Sequence, residues 1–94
     1  LELAERGLAQ RPDDPAFMDT LGLVLLNLDE SERAREILAK AHSATPDPSI
    51  AFRYAQALVA TGAPDQARRV LRQNAAANYP EKAAAEALLQ ELDQ

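Results

Sequence analysis

The chain has 94 residues, enough for one small domain, and its net charge of −5 argues against a general nucleic-acid binder, which would need clustered Lys and Arg. It contains no cysteine, so disulfides and thiolate metal sites are excluded. The apolar fraction of 47% includes much alanine, and the longest apolar runs fall far short of a membrane span. This composition indicates closely packed helices.

Proline and glycine divide the chain into six predicted helices. The pair Asp14-Pro15 opens the second helix and Asp47-Pro48 the fourth, because Asp caps free N–H groups and proline suits a first helical turn. Gly62 ends the fourth helix, since glycine tolerates the left-handed conformation that is common after a helix. No stretch shows sustained period-2 alternation, so no strand is expected. The predicted helices cover about 1–10, 15–28, 31–44, 48–61, 64–76 and 80–92.

Residues 18–41 match residues 51–74 when the sequence is compared with itself at a spacing of 33. Such a period is typical of helical repeats, in which one hairpin of two helices cannot bury its apolar face alone. Short connections between the helices favour antiparallel neighbours. The matched pairs are Met18 with Ala51, Leu21 with Tyr54, Gly22 with Ala55, Leu25 with Leu58, Ala34 with Ala67, Leu38 with Leu71, and Ala41 with Asn74.

These positions resemble the tetratricopeptide repeat, with Pro46 as the closing proline of the first copy. The second copy departs further, because Ala55 replaces the glycine, Asn74 replaces the late alanine, and Pro80 comes one position late. The resemblance implies an all-α fold, a right-handed αα-hairpin solenoid of tetratricopeptide type with a C-terminal capping helix. Its small residues are expected where the two helices of a hairpin cross, since bulk there would push them apart.

The resemblance divides the chain into four parts. Residues 1–12 are the second helix of a truncated repeat, 13–46 and 47–79 are two tetratricopeptide-like repeats, and 80–94 are the capping helix. The chain begins at Leu1, inside a helical pattern and without a methionine, so we expect a fragment of a longer protein.

The C-terminal part has an alanine-rich helix after residues 78–82, with a polar face that includes Glu86 and Gln90. Terminal units of a repeat array need one such polar face. The ending is similar to the C-terminal end of the long tetratricopeptide proteins that accompany exosortase/PEP-CTERM systems, which are linked to exopolysaccharide export. This similarity implies a bacterial protein and leaves the compartment open between the cytoplasm and the periplasm.

Catalytic and metal-binding patterns find little support in the sequence. His42 is the only histidine, and its place near the end of a predicted helix suits the helix dipole better than a ligand or acid–base role. Asp13-Asp14 and Asp29-Glu30 are interpreted as loop and cap residues, since no calcium-loop spacing surrounds them. No cofactor and no enzymatic activity are expected.

The resemblance implies a concave groove lined by the first helix of each hairpin. A basic and asparagine clamp, as in the family's receptors for chaperone tails, is not expected, because Asp19 and Leu23 stand where that clamp requires lysine and asparagine, and Arg53 alone does not restore it. The family's usual contact positions fall on Asp19, Leu23, Leu26 and Asn27 in the first copy, and on Ser49, Phe52, Arg53, Gln56 and Ala60 in the second.

Two sets of residues allow two interpretations each. Leu23, Leu26 and Phe52 either pack against a neighbouring first helix or the capping helix, or form an apolar strip for a partner. The arginines at 68, 69 and 72 lie on the outer face, where they form either a solvated surface or a docking site for an acidic partner.

We therefore expect a non-catalytic scaffold that binds a partner peptide or helix in its groove, with no nucleic acid and no direct membrane insertion. The competing hypothesis is a regulatory or docking domain of an enzyme whose catalytic part lies upstream. The predicted helix over 1–10 lacks the first half of its repeat, so its leucines are expected to be uncovered. It either mediates a weak symmetric homodimer or frays.

Overall fold

The computed structural model describes residues 14–94, and every regular element within that range is an α-helix. Several predictions concern residues outside the described range. They are the helix over 1–10, the division at 1–12, the interpretation of Asp13 and the homodimer through the N-terminal helix. The five described helices are α1 (Pro15–Asn27), α2 (Ser31–Ala44), α3 (Pro48–Ala60), α4 (Pro64–Gln73) and α5 (Lys82–Leu92).

The helices pack in chain order, each against the next, and α1 also contacts α3 directly. The described part of the chain is elongated, with extents of 40 × 24 × 18 Å. The all-α fold and the packing of consecutive helices predicted from the sequence are confirmed. The direct contact between α1 and α3 brings the first helices of the two hairpins side by side.

Both hairpins begin with the same cap. The Asp14 carboxylate accepts hydrogen bonds from the backbone N–H groups of Ala16 and Phe17, and the Asp47 carboxylate accepts one from Ser49. A proline follows each aspartate as the first helical residue. Proline has no N–H to leave unpaired there, so the sequence Asp-Pro stabilises the start of α1 and of α3 in the same way.

Both hairpins also turn in the same way. The backbone N–H of Glu30 donates to the Leu25 carbonyl at 2.9 Å, and that of Ala63 donates to the Leu58 carbonyl at 2.8 Å. Each bond closes over a residue with positive φ, Asp29 at 60° in the first hairpin and Gly62 at 84° in the second. A helix end of this kind, in which the residue after the helix has left-handed backbone angles, is called a Schellman motif. The caps and turns thus repeat at the 33-residue spacing of the sequence.

The core follows the matched positions of the two copies. Gly22 lies against the Leu38 side chain of α2, which confirms the close approach of these two helices. Tyr54 is only partly buried, since its ring reaches the space between α2 and α4. The buried residues are Met18, Leu21, Gly22, Leu25, Ala34, Leu38, Ala41, Ile50, Ala51, Phe52, Ala55, Ala57, Leu58, Ala67, Val70, Leu71 and Ala85.

Helix α5 is attached to the second hairpin by apolar and polar contacts. Ala85 is buried in the core cluster of α3 and α4, and the leucines of α5 pack partly against that cluster. Arg68 on α4 donates to the Leu92 carbonyl at 2.6 Å, and Arg72 pairs with Asp93 at 2.6 Å. Two of the three clustered arginines therefore hold the end of α5.

Candidate functional site

A groove lies between α3 and α5, and it is called the α3–α5 groove below. It is open to solvent and has a volume of about 360 Å³. Its surface is mainly apolar, with one amide and one carboxylate among the side chains that line it. The lining residues are Phe52, Gln56, Val59, Ala84, Ala87, Leu88 and Glu91.

The spacing of the lining residues explains why they share one surface. On α3 they stand at positions 52, 56 and 59, which fall on one side of a helix with 3.6 residues per turn. On α5 they stand at 84, 87, 88 and 91, which likewise form one stripe. On each helix, one face thus packs into the core, and residues at the edge of that face line the groove.

Phe52 belongs to both the core and the groove. Its side chain is 8% exposed and packs in the cluster that includes Ala85, with Leu88 partly buried against the same cluster. The sequence leaves two interpretations of Phe52 open, and the one observed is packing against α5, the last helix. The remaining exposed edge contributes to the wall of the α3–α5 groove.

The predicted contact residues of α1 include positions equivalent to the groove-lining residues of α3. Leu23 is 41% exposed, Leu26 is partly buried against the core of the first hairpin, and Asn27 is exposed. At the 33-residue spacing Leu23 corresponds to Gln56 and Leu26 to Val59. Since α1 packs directly against α3, these side chains continue the same side of the molecule.

Three other predicted contact residues are joined by an internal polar network. Arg53 Nε lies 2.8 Å from Asp19 Oδ1, and both atoms are buried from solvent. Arg53 Nη1 lies 3.5 Å from a carboxylate oxygen of Glu81, whose other oxygen accepts a hydrogen bond from Ser49 Oγ at 2.5 Å. The network links α1, α3 and the turn before α5, so these side chains position the helices that border the groove.

The network shifts its two carboxyl groups in opposite directions. Burial raises the pKa of Asp19 above its ordinary value, and the nearby guanidinium of Arg53 opposes this rise only in part. The hydrogen bond from Ser49 lowers the pKa of Glu81, and Arg53 lowers it further. Glu81 therefore stays ionised to lower pH than an unperturbed glutamate, while Asp19 takes up a proton more readily.

Five of the residues that line the groove are not among the contact residues predicted from the sequence. Val59 is the counterpart of Leu26 at the spacing of 33, so the repeat itself gave a signal for it. Ala60, which was expected instead, corresponds to Asn27 and lies beside the lining residues. The other four, Ala84, Ala87, Leu88 and Glu91, lie on α5, which was interpreted only as a cap.

No group of three or more His, Asp or Glu side chains in residues 14–94 is arranged to hold a metal ion. Across the same residues, no helix combines the length and the apolar character that crossing a bilayer requires. His42 lies in the last turn of α2, with its ring centroid 5.3 Å from that of Tyr54.

Comparison of the chain with protein-family models, with curated protein sequences and with solved structures finds no match.

Proposed function

We propose that this chain is a non-catalytic scaffold of tetratricopeptide type, which binds a partner peptide or helix along the side formed by α1, α3 and α5. The observation that carries the proposal is the open, mainly apolar α3–α5 groove. Amphipathic helices and extended peptides dock in grooves of this kind, where apolar anchors fill the floor and polar groups of the rim set the orientation.

Three features of the described helices support the tetratricopeptide type. The caps at Asp14 and Asp47 are equivalent, the turns at Asp29 and Gly62 are equivalent, and the first helices of the two hairpins pack side by side. Stacked hairpins that share these contacts form one continuous surface from their first helices. In the proposal, that surface is the concave side of a right-handed solenoid, and α5 closes it.

The charges around the groove favour a basic partner. Glu91 lines the groove and forms no ion pair within residues 14–94. Asp19 and Glu81 share the single cation Arg53 at the other end of α3. Among the residues that line the groove, Glu91 is the one charged side chain, so the groove itself is negative, and complementary charge favours association. The partner we propose is an amphipathic segment with apolar anchors and a Lys or Arg near Glu91.

The proposal is tested by selecting peptides from a random displayed library against the full chain and measuring their affinities by calorimetry. Ala87→Arg adds bulk and positive charge in the groove, whereas Ala83→Arg makes the same change at an exposed position of α5 outside it. We expect the selected peptides to carry basic residues, and Ala87→Arg to weaken their binding by about tenfold or more. Ala83→Arg should change it by less than about twofold.

Either of two results would contradict the proposal. One is the absence of saturable binding by every selected peptide at the highest soluble concentration. The other is an equal effect of Ala87→Arg and Ala83→Arg, which would show that binding does not use the α3–α5 groove. Circular dichroism of both variants checks that the helices are retained, since both positions are exposed.

A further inference from the structure

A second cavity lies on α3 away from the α3–α5 groove, between α2 and α4. Its volume is about 310 Å³. Tyr54 forms part of it and stands about 200° around the helix axis from Phe52, so the two cavities use opposite sides of α3. The lining residues are His42, Tyr54, Gln66, Arg69, Val70 and Gln73.

The lining residues of this second cavity are rich in hydrogen-bond donors. Arg69 carries a guanidinium with only donors, and Gln66 and Gln73 each carry an amide NH₂ group. The Nε2 atom of Gln66 lies 3.5 Å from the Tyr54 hydroxyl, so both groups face the same space. None of the lining residues that the structure describes is a carboxylate. The cavity thus presents one positive charge and several donors without an internal anion.

Arg69 differs from its two neighbouring arginines in having no side-chain partner among residues 14–94. Arg68 pairs with Asp65 and donates to the Leu92 carbonyl, and Arg72 pairs with Asp93. Within residues 14–94, Arg69 forms no ion pair or hydrogen bond with a side chain. The three arginines of the sequence cluster are therefore divided, two attaching α5 and one facing the second cavity.

His42 lines the cavity with its ring, and not with its Nδ1 atom. Its Nδ1 atom is buried and has no hydrogen-bond partner among the described residues. The Tyr54 ring packs against the imidazole and fixes its place in the wall of the cavity.

We propose that the second cavity binds an oxyanion, that is, a carboxylate or a phosphate group. The Arg69 guanidinium supplies the charge and a planar pair of N–H donors, a geometry that suits both kinds of group. The amides of Gln66 and Gln73 supply further donors. This site is separate from the groove proposed for a peptide partner, because it lies on the other side of α3.

Nuclear magnetic resonance titrations of the full chain with sodium phosphate and with sodium acetate, at constant ionic strength, test the proposal. We expect saturable shifts at the His42 ring and at the backbone amides around Arg69. Saturation by either anion supports the site, and the tighter of the two identifies the preferred oxyanion. Arg69→Gln should weaken binding by about tenfold or more. Arg33→Gln, an equal change of charge at an exposed position of α2, should change it by less than about twofold.

A second variant keeps the test independent of Arg69. Gln73 is exposed, and Gln73→Glu places a carboxylate in the cavity with little effect on folding, so it should abolish saturable binding of both anions. Shifts that grow linearly up to the highest concentration of both anions would overturn the proposal. So would saturable binding that Arg69→Gln and Gln73→Glu leave unchanged.

Discussion

Replacing Gly22 with alanine tests the closest helix contact in the described fold. A methyl carbon built on Gly22 would lie 2.5 Å and 2.9 Å from the two terminal carbons of Leu38, and it would also overlap Cγ of that side chain. Leu38 has no exposed surface, so any movement away from the new methyl group has to take place within the core. The two helices must therefore separate, or Leu38 must adopt a strained rotamer.

Two opposing effects determine the magnitude of the change. Alanine favours the helix over glycine by about 1 kcal/mol, because glycine loses more backbone entropy on folding. Overfilling a packed core typically costs about 1–3 kcal/mol, and the contact with a fully buried leucine falls toward the upper end of that range. We expect a net loss of about 1–2 kcal/mol, which lowers the melting temperature of a domain of this size by about 5–15 °C.

Urea unfolding followed by circular dichroism measures this loss, and the Leu38→Ala background provides the control. Truncation of Leu38 removes the atoms that the new methyl group would meet, so Gly22→Ala should be neutral or stabilising by up to about 1 kcal/mol there. The reasoning is refuted if Gly22→Ala stabilises the otherwise unchanged chain. It is equally refuted if the change in free energy is the same in both backgrounds.

Three further predictions concern the turns, a cap and the acid response. Gly62→Ala should lower the free energy of unfolding by about 1 kcal/mol, because φ at this position is +84°. Asp29→Gly should raise the free energy of unfolding by up to about 1 kcal/mol at the equivalent turn. A change of the same sign at both sites would contradict the left-handed turns. Asp14→Ala should lower the free energy of unfolding by about 1 kcal/mol, with Asp14→Asn close to the original chain, and equal losses would exclude a role for the cap oxygen. Because folding lowers the pKa of Glu81, its contribution is present above the ordinary glutamate pKa and is lost as the pH falls through the lowered value. The stability difference between the chain and Glu81→Gln should thus be present at about pH 7 and disappear toward about pH 3, and a difference that is constant with pH would refute the role of the Ser49 hydrogen bond.

The helix boundaries were predictable where a local interaction decides them. The Asp-Pro caps and the turn at Gly62 depend on residues adjacent in sequence, so their positions agree with the structure. The end of α4 was predicted at about residue 76, but the helix stops at Gln73. There the Asn74 side chain donates to the Val70 carbonyl at 3.0 Å, which competes with helix continuation, and the alanines that follow form a turn.

The start of α5 and the polar network depend on contacts between residues distant in sequence. Pro80 was expected to open the last helix, yet α5 begins at Lys82, after a turn in which Glu81 reaches Ser49 and Arg53. From the sequence, Ser49 and Arg53 were interpreted as groove residues available to a partner. The contacts of Arg53 with Asp19 and Glu81, and of Ser49 with Glu81, could not be predicted. They require the direct packing of α1 on α3 and the position of the turn.

The attachment of Glu81 distinguishes the second hairpin from the first. Ser49 and Arg53 hold its carboxylate on the second hairpin. The corresponding positions of the first hairpin are Ala16, which has no hydroxyl, and Thr20, which has no positive charge and whose hydroxyl donates to the Ala16 carbonyl. A chain with its hairpins exchanged would keep both sets of caps and turns but would lose the ionic attachment of the turn before α5. The two copies are thus similar building units with different neighbours, and only the second carries the attachment of Glu81.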